Sequence, residues 1–153
     1  MAFFLAPPIP AYGGVCVSAI RIGSMEPESL LVTMAGWTPL QLLRHWRDEV
    51  GALVSGRRSK AGLVTGLAVV DGTVVPSEWW TITASGDEVA IGYQVLTTLG
   101  TNTSWASPDA WWTHVDGPDG RASSWPATLP MLAEWCDFVD AVLRAADVAA
   151  EGD

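Results

Sequence analysis

Residues 109–120 read DAWWTHVDGPDG, the densest concentration of chemically able side chains in the chain. Asp109, His114, Asp116 and Asp119 offer the oxygen and nitrogen donors of a metal site or an acid–base pair. The spacing fits no such site well. A calcium loop wants acidic or amide ligands at alternating positions, a central glycine and a terminal glutamate. A zinc site wants paired histidines or cysteines. No metal and no cofactor is therefore expected. The plainer reading puts Trp111, Trp112 and Val115 in a short strand that turns at VDGPDG.

Glu78 stands beside Trp79 and Trp80 in EWWTIT, residues 78–83. A carboxyl group held against indole in a dry pocket has its protonated form favoured, which suits general acid–base work. Facing outward, Glu78 is only the polar position before a buried pair. His45 lies in RHWRDE with Asp48 and Glu49 three and four residues on, a spacing that raises its protonated share. The same spacing, like that of Arg44 and Asp48, is ordinary pairing on a helix surface. Cys16, in an apolar strand, and Cys136, on an apolar helix side, read as reduced core thiols. No serine occupies a nucleophile elbow, and GLVTGLAVVDG lacks the lysine of a phosphate loop. GRRSK, residues 56–60, is the one basic cluster; Arg57 and Arg58 there could receive a partner's carboxylate or simply complement a helix end.

The elements that must position these groups are partly legible. Thr38 can cap a helix with Pro39 at its first position, Gln41 completing a capping box, and Trp37 and Leu42 spaced as a staple. Leu43, Trp46, Val50 and Leu53 form its apolar stripe, and Gly56 ends it. A second helix over about 130–148 buries Leu132, Trp135, Phe138, Val139, Val142 and Leu143, with Asp140 and Arg144 four apart on the other side. Residues 14–22 read as a largely buried strand, and 29–35 as a second strand or a short helix after Pro27, with strand preferred. Asp71–Gly72 and Gly86–Asp87 separate three extended runs as tight hairpins, with Pro76 marking a bulge or an edge. Apolar residues at nearly every position around 63–70 favour cover on both sheet faces. The expected fold is α+β: an antiparallel sheet of about four to six strands packed with two amphipathic helices.

With 153 residues, the chain reads as one domain, with residues 1–12 as an N-terminal arm and 149–153 as a frayed tail. MAFFLAPPIP lacks a charged start and is broken by prolines 7, 8 and 10, so it reads as neither a signal peptide nor a membrane span. Seventeen acidic residues against eight basic ones leave a net charge of −9, and Lys60 is the only lysine. That field disfavours nucleic acid and anionic lipid. With two cysteines and no export signal, a cytoplasmic location is expected.

Nine tryptophans against two tyrosines and three phenylalanines are the compositional anomaly. Trp79, Trp80, Trp105, Trp111, Trp112 and Trp125 fall outside the two helices. Indoles are costly to hydrate and serve as anchors once a partner removes their water. The favoured reading is a non-catalytic interaction or assembly protein, using these tryptophans with Arg57 and Arg58. Its partner would be another protein, as for an inhibitor or antidote whose acidic charge steers it to a basic surface, or further copies of itself. The alternative is a small cofactor-independent enzyme, of isomerase or cyclase type. It would hold an apolar small molecule in an aromatic pocket, with Glu78, His114 and Asp116 as catalytic groups. No short motif decides between them.

Overall fold

The computed structural model describes residues 2–70, 72–95 and 125–151. Among these residues, eight strands and two helices follow in the order β1 (Phe3–Leu5), β2 (Ile9–Tyr12), β3 (Val15–Ile22), β4 (Glu28–Thr33), α1 (Pro39–Val54), β5 (Lys60–Val70), β6 (Thr73–Ser85), β7 (Glu88–Val95), β8 (Trp125–Thr128) and α2 (Leu129–Glu151). They form one mostly antiparallel sheet in the order β1-β3-β4-β5-β6-β7-β8, with β2 also paired to β3. The α+β reading with two helices holds. The sheet exceeds the expected four to six strands because the N-terminal arm supplies β1 and β2 and the segment before α2 supplies β8.

The arm is a working part of this chain's own sheet. Phe3 and Leu5 face Ile22 and Ile20 across β1 and β3, and both are fully buried. Trp135 of α2 meets the ring of Phe3 edge-on at 5.7 Å and donates its indole N–H to the Leu5 carbonyl at 2.9 Å. A buried tryptophan needs such a partner, because an unmet indole N–H forfeits its hydration without return.

β4 and β5 are the one parallel pair among the described residues, joined through α1. Parallel neighbours require a crossover long enough to carry a helix. The helix begins as its sequence dictates: the Gln41 amide donates to Thr38 Oγ1 at 3.2 Å and the Thr38 amide to Gln41 Oε1 at 2.8 Å. It ends at Ser55, with Gly56 at φ +71°, a conformation that glycine adopts without a Cβ penalty. The ring of Trp37, just before the cap, stands edge-on to that of His45 at 5.7 Å. α2 runs a turn past the expected end near 148, to Glu151, in an alanine-rich stretch of high helix propensity.

Helix pairing also departs from the local pattern. Arg44 and Asp140 were expected to pair within their own helices. Instead Arg47 grips Asp140 with two hydrogen bonds of 2.7 Å and Arg44 reaches Asp147 at 2.5 Å, both from α1 to α2. Packing the helices side by side brings opposite charges closer than the four-residue spacing does. Gly51 makes the Arg47 contact feasible, since a Cβ there would collide with the guanidinium lying over it.

Both hairpins form where glycine permits. Val70 faces Thr73 around Gly72, and Ser85 faces Glu88 around Gly86. Near Pro76 the β5–β6 ladder slips twice, between Val64 and Gly66 and again between Gly66 and Leu67. The proline marks a bulge, and β6 is an interior strand. One sheet face, with Ile20, Val32, Leu63, Ile82 and Ile91, joins the core beneath Trp46 and Trp135. On the opposite face, Ile9, Val17 and Leu31 form an exposed row across β2, β3 and β4, whereas Val64 and Trp79 are buried.

Candidate binding site

The double slip in β5 has a local purpose that can be read from geometry. Gly66 faces Glu78, and a Cβ on Gly66 would stand 2.7 Å from Ser77 Oγ and 2.9 Å from Glu78 Cβ. The Glu78 side chain therefore lies over a position that only glycine leaves open. Bulges re-aim side chains in this way. Glu78 is half-buried, and its Oε2 accepts from the Tyr93 hydroxyl at 2.8 Å. Tyr93 sits opposite Trp80 in the β6–β7 ladder. Its ring lies 5.1 Å from that of Trp80, tilted by 49°. Trp125, on β8, approaches Trp80 from another side at 5.2 Å and 42°. Three aromatic rings and one carboxylate thus converge at one end of the sheet, on the side that carries the helices.

Burial and the Glu78 hydrogen bond push the Tyr93 phenol up to about 12. At neutral pH it keeps its proton and serves as a fixed donor to the carboxylate. Trp80 is 3% exposed, and its indole N–H has no acceptor among the described residues.

A second carboxylate site lies where α1 packs against β5. Glu49 of α1 is 9% exposed. Its Oε1 accepts from Arg58 at 3.0 Å and its Oε2 from the Gly62 amide at 3.1 Å. The surface network expected around His45 is in fact partly interior. Burial lowers the His45 pKa below its ordinary value, outweighing Glu49, a hydrogen bond with the Gly62 backbone, and Asp48, all of which favour the charged form. Sequence spacing foretold the charges but could not foretell the desolvation.

The sequence-derived residues fall into three groups. Trp80, Trp125 and Glu78 come together, with Tyr93, which no sequence motif singles out, as a fourth member. Trp79 is 3% exposed on the opposite sheet face, backing Val64 across the ladder. Arg58 is engaged by Glu49, and exposed Arg57 donates to Ser55 Oγ at 3.1 Å. Trp105, Trp111, Trp112, His114 and Asp116 lie outside the described residues. Cys16 and Cys136 are buried free thiols, and burial pushes the Cys136 thiol up to about 11. Among the described residues no three His, Cys, Asp or Glu side chains converge as metal ligands, and no helix is long and apolar enough to cross a membrane.

No known protein family matches the chain, and no curated protein does either. Its fold does have a solved counterpart. A chain of the CdiA-CT/CdiI toxin and immunity complex from Enterobacter cloacae superposes with a TM-score of 0.68, covering 90% of this chain and 98% of that one. At 17% identity the likeness is one of fold. The class defined here is thus a mixed α+β domain, shared over nearly its whole length with one partner of a toxin–immunity pair.

Proposed function

We propose that this chain is a protein-binding protein of the immunity type, one that docks on a basic partner and blocks it. The observation that carries this reading is the coincidence of that full-length fold likeness with a net charge of −9. A strongly acidic domain with one lysine is suited to find and cover a cationic surface, since complementary fields accelerate encounter and penalise wrong partners. The same field would oppose a role on nucleic acid, through phosphate repulsion. Two buried free thiols support a reducing, cytoplasmic setting.

The test is neutralisation. The chain is co-expressed with a library of toxin domains, and those whose growth arrest is relieved are purified with it. The expected result is a one-to-one complex whose association slows at least tenfold as salt rises from low to physiological levels, as electrostatic steering requires. Rescue with no salt dependence would remove the charge argument. No rescue across the library, together with turnover of a small apolar substrate by the purified chain, would replace this reading with an enzymatic one.

A further inference from the structure

We propose that Glu78, Tyr93 and Trp125, backed by the buried Trp80, form an anchor site for an arginine side chain of the partner. The inference deepens the proposed function and rests on it for the source of the arginine. Three features of the site point to a cation. The carboxylate is half-buried beside aromatic rings, where a charge interaction is screened less than at the open surface. Its one protein donor within the described residues is a neutral phenol, which orients the anion without cancelling it. And the chain gives up regular pairing on both sides of Gly66 and uses a residue without a side chain there, which seats Glu78 where it is. A carboxylate needed only as a polar surface residue would not call for that cradle.

Arginine is the cation that suits this chemistry. A guanidinium is planar and weakly hydrated, stacks on indole and phenol faces, and pairs with a carboxylate through a fork of donors. An ammonium is compact and strongly hydrated, and loses more on entering an aromatic setting. Among the described residues, the chain's own ion pairs use Arg44, Arg47 and Arg58, each directed at a carboxylate other than Glu78.

The experiment needs no partner protein. The uniformly labelled full chain is titrated with Nα-acetyl-arginine amide, with the citrulline analogue as a neutral isostere and with Nα-acetyl-lysine amide. The indole N–H resonances of Trp80 and Trp125 are followed, assigned through Trp80→Phe and Trp125→Phe. The Trp80 N–H is a sensitive reporter because no acceptor in the described chain holds it. Arginine amide is expected to shift both resonances saturably, with a dissociation constant on the order of 1 mM for a ligand of that size. Citrulline is expected to bind at least tenfold more weakly. Glu78→Gln and Gly66→Ala should each abolish the preference for arginine, while Glu88→Gln, at an exposed position of β7, leaves it unchanged. Equal shifts from citrulline, or a preference that survives Glu78→Gln, overturn the proposal. Equal shifts from lysine amide overturn the choice of arginine. A chain that passes this titration yet neutralises no toxin loses only the partner reading. One that neutralises a toxin without responding to arginine loses only the anchor.

Discussion

Glu49 and Glu78 approach β5 from different neighbours and are handled in opposite ways. Glu49 arrives from α1, is almost completely buried, and has one oxygen on Arg58 and the other on the Gly62 amide. Glu78 arrives from β6, stays half-buried, and accepts from the Tyr93 phenol; the ion pairs found among the described residues engage other carboxylates. The first carboxylate is neutralised inside the chain and clamps the helix to the strand that follows it. The second accepts from a neutral phenol at an aromatic boundary. Burial sets the cost of a charge, and the identity of its donors decides whether that charge is spent on stability or kept for a ligand.

The sharpest way to break this contrast is to delete each carboxylate and compare unfolding. Glu49→Ala strands the buried Gly62 amide and removes a charged hydrogen bond from Arg58. Because Arg58 keeps 35% of its side-chain surface in water, the expected loss is about 2–3 kcal/mol, below the upper range for a fully buried pair. Denaturant titration with unchanged slope would measure it. A loss below about 1 kcal/mol would mean that the Gly62 amide and Arg58 find water instead, and Glu49 would cease to differ from Glu78.

Gly66→Ala attacks the other side. The added Cβ meets Ser77 Oγ and the first carbons of Glu78 at distances that real Cβ atoms do not tolerate. Strand or side chain must move, at a cost of about 1–2 kcal/mol. Ala at Gly72, where nothing crowds the Cβ but φ is +77°, supplies a control in which strain is purely conformational. If Gly66→Ala is neutral in stability and leaves the Tyr93 environment unchanged in tyrosine-ring NMR shifts, the cradle does not hold Glu78.

These two sites also differ in how far they could be read from sequence. The caps and turns, which depend on neighbours within four residues, were legible: the Thr38–Gln41 capping box, the Gly56 stop, and the turns at Gly72 and Gly86. The bulge near Pro76 was legible because proline cannot serve the ladder on both sides. Long-range pairing was not. Nothing local says that Arg47 prefers Asp140 of α2, that Arg58 folds back to Glu49, or that Tyr93 and Trp125 assemble around Trp80. The same holds for Trp46 and Trp135, whose indole N–H groups reach the Val64 and Leu5 carbonyls. The exposed row of Ile9, Val17 and Leu31 was hidden too, since it needs three strands in register.

Acid should dismantle the Glu49 side before it touches the α1–α2 contact. The folded-state pKa of His45 lies below its ordinary 6.5, chiefly from burial. Folding therefore favours the neutral ring, so its contribution is complete above about 6.5 and declines as pH falls toward the lower folded value. Asp140 is depressed below 3.8 by its hydrogen bonds from Arg47. Its contribution persists above that value and is lost only as pH falls through the folded pKa. Urea midpoints measured across this range should fall in two stages, and His45→Gln should remove the first. A single stage near 3.8, present with or without His45, would show that the ring takes up its proton at little cost.

The smallest expected effect lies at Glu78 itself. Glu78→Gln keeps the side-chain volume and an acceptor for Tyr93, so stability should change by no more than a few tenths, about 0.5 kcal/mol at most. The electronic consequence is larger than the energetic one. Burial is the first cause of the raised Tyr93 pKa, and the hydrogen bond and charge of Glu78 add to it. Removing the negative charge should lower the phenol from about 12 toward its ordinary 10 without reaching it. In a Tyr12→Phe background, where Tyr93 is the only tyrosine, phenolate absorbance reports that shift directly. An unchanged titration would mean that the carboxylate exerts no field on its nearest donor. A site that cannot influence a hydroxyl 2.8 Å away could not select a guanidinium, so this small measurement bears on the anchor as strongly as any change in stability.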